Sequence, residues 1–311
     1  MYAIEAKNIT KKYYRNFQGI KIPAIADKEE EYVTTALNNV SLNIKNGEFV
    51  VIMGPSGAGK STFLNMISTV DFQTSGVVKI NGKNIKKMSE NSISEFRYNN
   101  LGFIFQNCNT LSNLTIKENI VLPLTLAGVS IEEANKKVEN ISVRLNIKDI
   151  LEKYPDECSG GQIQRVSAAR ALINNPSIII ADEPTGNLDS KNSYELLSFL
   201  KELNENDKKT IVMVTHDAMV ASYSNRVIYI RDGIIEKELL REKKEQKEFF
   251  YEIIEYISKE SGYFFNKQIN KKEPILGSFL FCKCLKNKTS RKMKLRLLNV
   301  HKTKAYFIEK V

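Results

Sequence analysis

Three short stretches of this 311-residue chain carry residues that can do chemistry on phosphate. The first is GPSGAGKST, made of Gly54, Pro55, Ser56, Gly57, Ala58, Gly59, Lys60, Ser61 and Thr62. It fits G-x-x-x-x-G-K-[ST], follows an apolar run and opens a helical one, which is the context the motif requires. Its glycines let the backbone curl so that successive N–H groups point inward at phosphate oxygens. Lys60 supplies a point charge for the terminal phosphates, and the Ser61 hydroxyl can ligate Mg²⁺. The competing account is a chance match in a glycine-rich turn. The second stretch, SIIIADE, reads as a buried strand that delivers Asp182 to its carboxyl end, where sites on α/β sheets lie. Asp182 can hold Mg²⁺ directly or through water, and Glu183 is placed to polarise an attacking water. An ion-paired loop carboxylate is the ordinary alternative for Glu183. The third stretch is VMVTHD, where His216 ends an apolar strand in line with Asp182. Gln106 ends a further strand, GFIFQ, and its amide can reach the metal or the water.

A second anion socket lies about a hundred residues further on, in YPDECSGGQIQRVSAARAL. Ser159 can cap a helix, Gly160 and Gly161 expose backbone N–H groups, and the first turn holds no carboxylate. Gln162 and Gln164 read as polar, with Val166, Ala169 and Leu172 facing a core. Taken alone, this is an ordinary Ser-capped helix. Beside the first socket, it asks why one chain needs two.

Strands and helices must alternate to position these groups. EFVVIMG, GVVKING, LGFIFQ, SIIIADE and TIVMVTHD read as strands, and KSTFLNMIS, IEEANKKVENISVRL and YELLSFLKELN as helices. RVIYIRDGIIEKEL reads as a hairpin about Asp232-Gly233. The near-continuous apolar strands predict a buried, mostly parallel sheet in an α/β fold. Residues 107–174 read as an almost wholly helical subdomain inserted between strands, and 15–36 as a loop or excursion.

Charge divides the chain. From 241 to 311 there are 18 Lys and Arg against 8 Glu, which leaves 28 residues of each sign in 1–240. The net charge of +10 therefore belongs to a basic C-terminal extension, 241–311, attached to a neutral domain, 1–240. Within it, Phe249, Phe250, Ile253, Ile254 and Ile257 fall on one helical face. A Lys-rich run beyond offers contact with anionic lipid or nucleic acid, and Cys282 and Cys284 lack further metal ligands nearby. Four cysteines argue against a disulfide scaffold. The N-terminus lacks a signal-peptide pattern, and no stretch reaches the roughly 20 apolar residues of a membrane span.

Taken together, GPSGAGKST, FIFQ, CSGGQIQR, IIIADEPTGNLDS and VTHD resemble, in order and spacing, the ATP-binding subunit of an ABC transporter. The resemblance covers residues 1 to about 240. It implies a P-loop NTPase core with a small antiparallel β subdomain, and ATP with Mg²⁺ as the bound species. It also answers the question of the two sockets: the start at Ser159, Gly160, Gly161 and Gln162 caps the γ-phosphate held by a second copy. Two chains then face head to tail in a homodimer around two ATPs. Glu183 and His216 become the catalytic groups, with Gln106 coupling the site to a membrane permease on which residues 107–174 dock. Asp189 in GNLDS is placed at the dimer seam, and Tyr13 in TKKYY on the adenine, with Tyr14 as its rival. Cys158 stands where leucine is usual; since backbone amides do the binding, a small thiol should serve. The stretches around these motifs look most like the branch serving macrolide efflux, lipoprotein release and bacitracin-type peptide resistance. The expected location is the cytoplasmic face of the cell membrane. A soluble ATPase of the same family acting on nucleic acid or ribosomes is the alternative, and the absence of a second such domain or a long coiled coil counts against it.

Overall fold

The computed structural model describes residues 1–14, 33–269, 293–300 and 303–310. The chain opens with β1 (Tyr2–Tyr14), β2 (Val33–Lys45), β3 (Phe49–Met53), α1 (Lys60–Ile67), β4 (Ser75–Ile80), β5 (Lys83–Asn84), α2 (Glu90–Asn100) and β6 (Leu101–Phe105). Three helices follow, α3 (Ile116–Leu126), α4 (Ile131–Arg144) and α5 (Gly160–Leu172). Next come β7 (Ile178–Asp182), α6 (Ser190–Glu205), β8 (Thr210–Val214), α7 (Ala218–Ala221), β9 (Arg226–Arg231) and β10 (Ile234–Leu240). The last elements are α8 (Gln246–Ile269), β11 (Met293–Val300) and β12 (Thr303–Lys310). Two compact units result, Met1–Ile254 and Glu255–Val311.

In the first unit, a six-stranded sheet runs in the order β10-β9-β3-β8-β7-β6. The pairs among β9, β3, β8, β7 and β6 are parallel, and β10 returns antiparallel at the edge. Every residue of β3 and β8 is buried, as are the first four of β7. This is why those strands are apolar throughout rather than alternating. A second, antiparallel sheet has the order β2-β1-β4-β5. The β9–β10 turn has Asp232 at φ 48° and Gly233 at φ 75°, the two left-handed residues of a tight hairpin whose twist suits its strands.

One apolar cluster spans both sheets. Ile4, Ile9, Leu37 and Ile44 from the antiparallel sheet join Ile52, Ile180, Val212 and Ile228 from the parallel one, with Phe63 and Ile67 of α1 among them. Phe63 and Ile67 are fully buried, each stabilising the fold by about 1.5–3 kcal/mol. The helix that presents Lys60 and Ser61 is thus gripped along its length by core packing, which holds its first turn in place. Between β6 and β7, α3 packs against α4 and α5, and α5 also lies on β6.

Two sequence expectations change here. Residues 33–36, read as part of an excursion, begin β2, with Val33 opposite Tyr14 and Thr34 opposite Tyr13; residues 15–32 lie outside the described residues. The apolar stripe of α8 is narrower than its sequence suggests. Phe249 and Ile253 are buried, Phe250 and Ile257 are half-buried, and Ile254 is 38% exposed. In the second unit, β11 and β12 pair antiparallel from Met293 opposite Lys310 to Val300 opposite Thr303. Cys282 and Cys284 lie outside the described residues.

Candidate functional site

The carboxyl ends of β3, β7 and β8 bring the chemistry together. After β3 the chain turns at Gly54, whose φ is 146° and where a Cβ would stand 1.9 Å from the Ile230 carbonyl oxygen. No residue with a side chain can let the loop pass so close to β9. The loop closes with a hydrogen bond from the Ala58 amide to the Pro55 carbonyl, and the first intrahelical bond of α1 is Phe63 to Gly59. The amides of Lys60, Ser61 and Thr62 therefore precede the helical ladder. Gly59 offers no side-chain cap and the first turn holds no acidic residue, so these donors and the helix dipole form an anion socket. Lys60 is 9% exposed; its ammonium donates to the Gly54 carbonyl at 2.9 Å and the Pro55 carbonyl at 2.8 Å.

Across from it stand Asp182 and Glu183. Burial pushes the Lys60 ammonium below its usual range, against the pull of the Glu183 and Asp182 carboxylates. Burial and the charge of Glu183 push the Asp182 carboxyl up, with Lys60 opposing. These three groups hold one another in tension that bound phosphate and metal charge would rearrange. Glu183 adopts φ 42°, a left-handed backbone that costs a glutamate roughly 1–2 kcal/mol. The turn is held by its amide donating to the Val214 carbonyl at 2.9 Å and by the Gly186 amide donating to its own carbonyl at 3.0 Å. Its carboxylate pairs with His216 Nδ1 at 3.1 Å, and the imidazole is otherwise open to solvent, 71% exposed. The pair sits at the rim of a cleft of about 520 Å³ lined also by Thr185, Tyr194, Met219 and Tyr223.

Gln106 follows β6 with its amide against Gly186, where a Cβ would meet Nε2 at 2.7 Å. Its carbonyl accepts from Asn187 Nδ2 at 3.3 Å. The glutamine is thereby tied to the loop that leaves Glu183. Ser61 and Asp182 offer hard oxygen donors, and among the described residues no cluster of three or more His, Cys, Asp or Glu could hold a metal unaided. This donor set fits Mg²⁺, which keeps few protein ligands and takes the rest from phosphate and water.

The second socket is built by α5. Ser159 caps it: its hydroxyl accepts from the Gln162 amide at 3.3 Å, and the Gln162 side chain accepts from the Ser159 amide at 2.8 Å. The Gly160 and Gly161 amides remain at a helix start without acidic residues. Against Gly161 lies Asn192, 2.2 Å from where a Cβ would be. Asn192 also donates to Asp189 through its side chain at 2.8 Å and its backbone amide at 2.8 Å. Hydrogen bonds from Asn192 hold the Asp189 carboxyl below its usual range. Asp189 and the Ser159–Gln162 helix start therefore belong to one cluster. Among the described residues, no hydrogen bond or ion pair joins that cluster to residues 54–62 of the same chain.

Gln164 corrects an expectation. It is 2% exposed, accepting from Cys108 Sγ at 2.6 Å and donating to the Phe105 carbonyl at 3.1 Å. It bolts α5 to the end of β6 rather than facing solvent. Burial pushes the Cys158 thiol up, which keeps it protonated and leaves it an ordinary small side chain. At the other end of the nucleotide loop, Tyr13 and Tyr14 part company. The Tyr13 hydroxyl donates to Asp71 at 3.0 Å, while Tyr14 is 64% exposed. The roles of Asp71 and Gln164 are not visible in the sequence because the side chains they hold, Lys11 and Tyr13 for one and Cys108 for the other, lie 56 or more residues away, and Asn192 meets Gly161 only across two helices.

Residues 37–186 match the family model described as ABC transporter. The chain is 45% identical over 254 residues to the bacitracin export ATP-binding protein BceA of Halalkalibacterium halodurans, covering 82% of this chain and 95% of that one. It is 45% identical over 207 residues to the macrolide export ATP-binding/permease protein MacB of Mannheimia succiniciproducens, covering 67% of this chain and 32% of that longer protein. Among solved structures, the dimeric post-hydrolysis state of the ATP-binding cassette MJ0796 of Methanocaldococcus jannaschii, bound to ADP and Pi, aligns with a TM-score of 0.68 at 41% identity. That alignment covers 76% of this chain and 98% of the other.

Proposed function

The chain belongs to the ATP-binding subunits of ABC transporters and is an ATPase that powers transport; from that premise we propose that it works as a head-to-tail homodimer driving export of peptide-type antibiotics through a separately encoded permease. The observation that carries the pairing is the presence of two anion sockets on one chain with no hydrogen bond or ion pair joining them among the described residues. Each ATP is held by Gly54–Thr62 of one copy and capped at its γ-phosphate by Ser159–Gln162 of the other. The Lys60 ammonium leaves its loop carbonyls for the β- and γ-phosphates. Ser61 and Asp182 would hold Mg²⁺, which would supply charge neutralisation at the phosphates. Glu183, oriented by its pairing with His216, orients and polarises the attacking water. The exposed Tyr194 and Met219 beside the Glu183–His216 pair suit a face that a second copy covers. ATP drives the pair closed and hydrolysis reopens it, because the two nucleotide states differ in affinity for the closed form.

A groove of about 360 Å³ supports the permease reading. It is lined by Arg97, Tyr98, Leu101, Phe103, Phe105 and Arg170. Phe103 and Phe105 stack at 5.9 Å between centroids, and Phe105 is 38% exposed. An apolar shelf with basic ends suits an amphipathic segment of a partner protein. The groove begins one residue before Gln106, so a segment seated there can act on the loop after Glu183. Among the described residues no helix is long and apolar enough to cross a membrane; in this reading the permease is the link to the membrane and this groove is its docking place. The export of bacitracin by one relative and macrolide by another supports an antibiotic cargo.

The test is a pull-down from membranes with tagged Glu183→Gln protein, with and without ATP. A co-purifying multi-spanning permease, retained through Phe105 and lost in Phe105→Asp, is the expected result. Recovery of ribosomes or nucleic acid alone would support the soluble alternative instead.

A further inference from the structure

We propose that Asp71, bridged by Lys11, is a positioning residue that sets the Tyr13 ring as the shelf for the adenine base, and so decides how much the base adds to ATP affinity. The proposal rests on the reading of Gly54–Thr62 as the nucleotide site. Four hydrogen bonds and one ring contact carry it. The Tyr13 hydroxyl donates to Asp71 Oδ2 at 3.0 Å. Lys11 Nζ donates to Asp71 Oδ1 at 2.6 Å and to the Phe72 carbonyl at 2.8 Å. The Phe72 amide donates to Asp71 Oδ1 at 2.7 Å. The Lys11 ammonium also stands 4.9 Å from the centre of the Tyr13 ring.

Geometry gives these contacts a purpose. Thr62, the last residue of the phosphate loop, is near enough to the same Tyr13 hydroxyl to favour its ionised form against the effect of burial. The ring is therefore registered against the helix that binds the phosphates. One ring face is taken by the ammonium, and the ring is still 40% exposed, so a single face is left for a planar partner. Lys11 is itself largely covered, with its side chain 13% exposed, and it cannot swing away without breaking the pair with Asp71. Burial works against ionisation of Asp71, but the hydrogen bonds from Lys11, Phe72 and Tyr13 overcome it and hold the carboxyl below its usual range. Burial foremost raises the Tyr13 phenol, which keeps it a donor. Tyr14, the neighbour on β1, faces the other side of the sheet, and its side chain has no hydrogen bond, ion pair or ring contact among the described residues. A tyrosine held at its hydroxyl has already lost the rotamer freedom that a loose one gives up on stacking, which raises affinity by roughly three- to tenfold.

The test uses the full chain with Mg²⁺ and compares dissociation constants for ATP and for inorganic triphosphate, which has the phosphates without the base. Tyr13→Phe deletes one oxygen and Asp71→Asn one charge, so either variant keeps the measurement informative if the other folds poorly. Each is expected to weaken ATP roughly three- to tenfold and leave triphosphate unchanged, and the double variant should be no worse than the single ones because both loosen the same clamp, one at the hydroxyl and one at the charge that Lys11 pairs with. An unchanged ratio of ATP to triphosphate affinity in both variants would overturn the proposal. So would parallel loss of both ligands, the mark of general damage to the loop. A wild type that binds neither ligand overturns the nucleotide site itself, and the clamp with it, which is a distinct outcome.

Discussion

Glu183 occupies a left-handed backbone at the end of a buried strand, with its carboxylate 3.1 Å from His216. A position held against its own conformational preference by Val214 and Gly186 is well placed for a group whose direction matters. Replacing it by Gln keeps size and hydrogen bonding and removes the charge that polarises water. Glu183→Gln is expected to lower the rate of phosphate release by about 10²- to 10⁴-fold while retaining ATP binding, and to accumulate an ATP-dependent dimer seen by light scattering. Turnover at the wild-type rate would remove Glu183 from the chemistry. Asp182 allows a pH test. Its carboxyl is raised in the folded chain by burial first and Glu183 second, so the folded state binds that proton more tightly than the unfolded one. Its ionisation therefore opposes folding, and the loss builds as pH rises from the ordinary carboxylate pKa through the folded one. Asp182→Asn should raise the Tm of the nucleotide-free chain at pH 7 by roughly 2–4 °C, with the gap closing as pH falls through the carboxylate range. It should also lose most of the further stabilisation that Mg²⁺ and ATP give the wild type. A lower Tm at pH 7 would contradict this. Asp182, Glu183 and His216 were legible in the sequence because each ends or follows a run of apolar residues whose strand nature is unambiguous, and Lys60 because it stands in the G-x-x-x-x-G-K-[ST] pattern. Gln164 was not, since a glutamine among core-facing residues shows its buried partners only once β6 is beside α5.

At the scale of elements, two helix starts that look alike in sequence are held differently. The first turn of α1 is fixed from behind by Phe63 and Ile67 in the core. The first turn of α5 is fixed from the side by Asn192 against Gly161 and by Arg165 with Glu195 at 2.6 Å. This gives paired predictions at adjacent residues. A Cβ at Gly160 meets nothing within 4 Å, whereas one at Gly161 meets Asn192 at 2.2 Å. Gly161→Ala should therefore weaken ATP-dependent dimer formation at least about fivefold more than Gly160→Ala, because about 1–3 kcal/mol of overpacking shifts the socket. Combining Gly161→Ala with Asn192→Gly should restore part of the loss. Equal effects of the two alanines, measured by dimer formation against ATP concentration, would show that the α5–α6 contact does not position the socket. The strands, helices and the Asp232-Gly233 hairpin were legible from period and turn chemistry. The start of β2 at Val33 was not, because its pairing partner Tyr14 lies across residues 15–32 and polar residues such as Thr34 and Thr35 carry no alternation of their own. On α8, equal apolarity of five residues concealed that only Phe249 and Ile253 are fully covered.

For the whole molecule, the charge excess and the chemistry are kept apart. Residues 1–240 are neutral and hold every group assigned to the reaction, while the excess of +10 lies in 241–311. The central claim concerns how many chains make one site. If each site takes Gly54–Thr62 from one copy and Ser159–Gln162 from another, two differently damaged chains can repair each other. Lys60→Ala disables the first socket. Gly160→Asp places a carboxylate in the second at a position where a Cβ meets nothing within 4 Å. Each variant alone should be inactive. Mixed in equal amounts, they form pairs of which half are mixed, and each mixed pair contains one site built wholly of intact parts. ATP hydrolysis by the mixture is therefore the most direct measurement: recovery toward about a quarter of the wild-type rate is predicted. A mixture that stays as inactive as its components would contradict the account, because both sockets would then be serving the same chain.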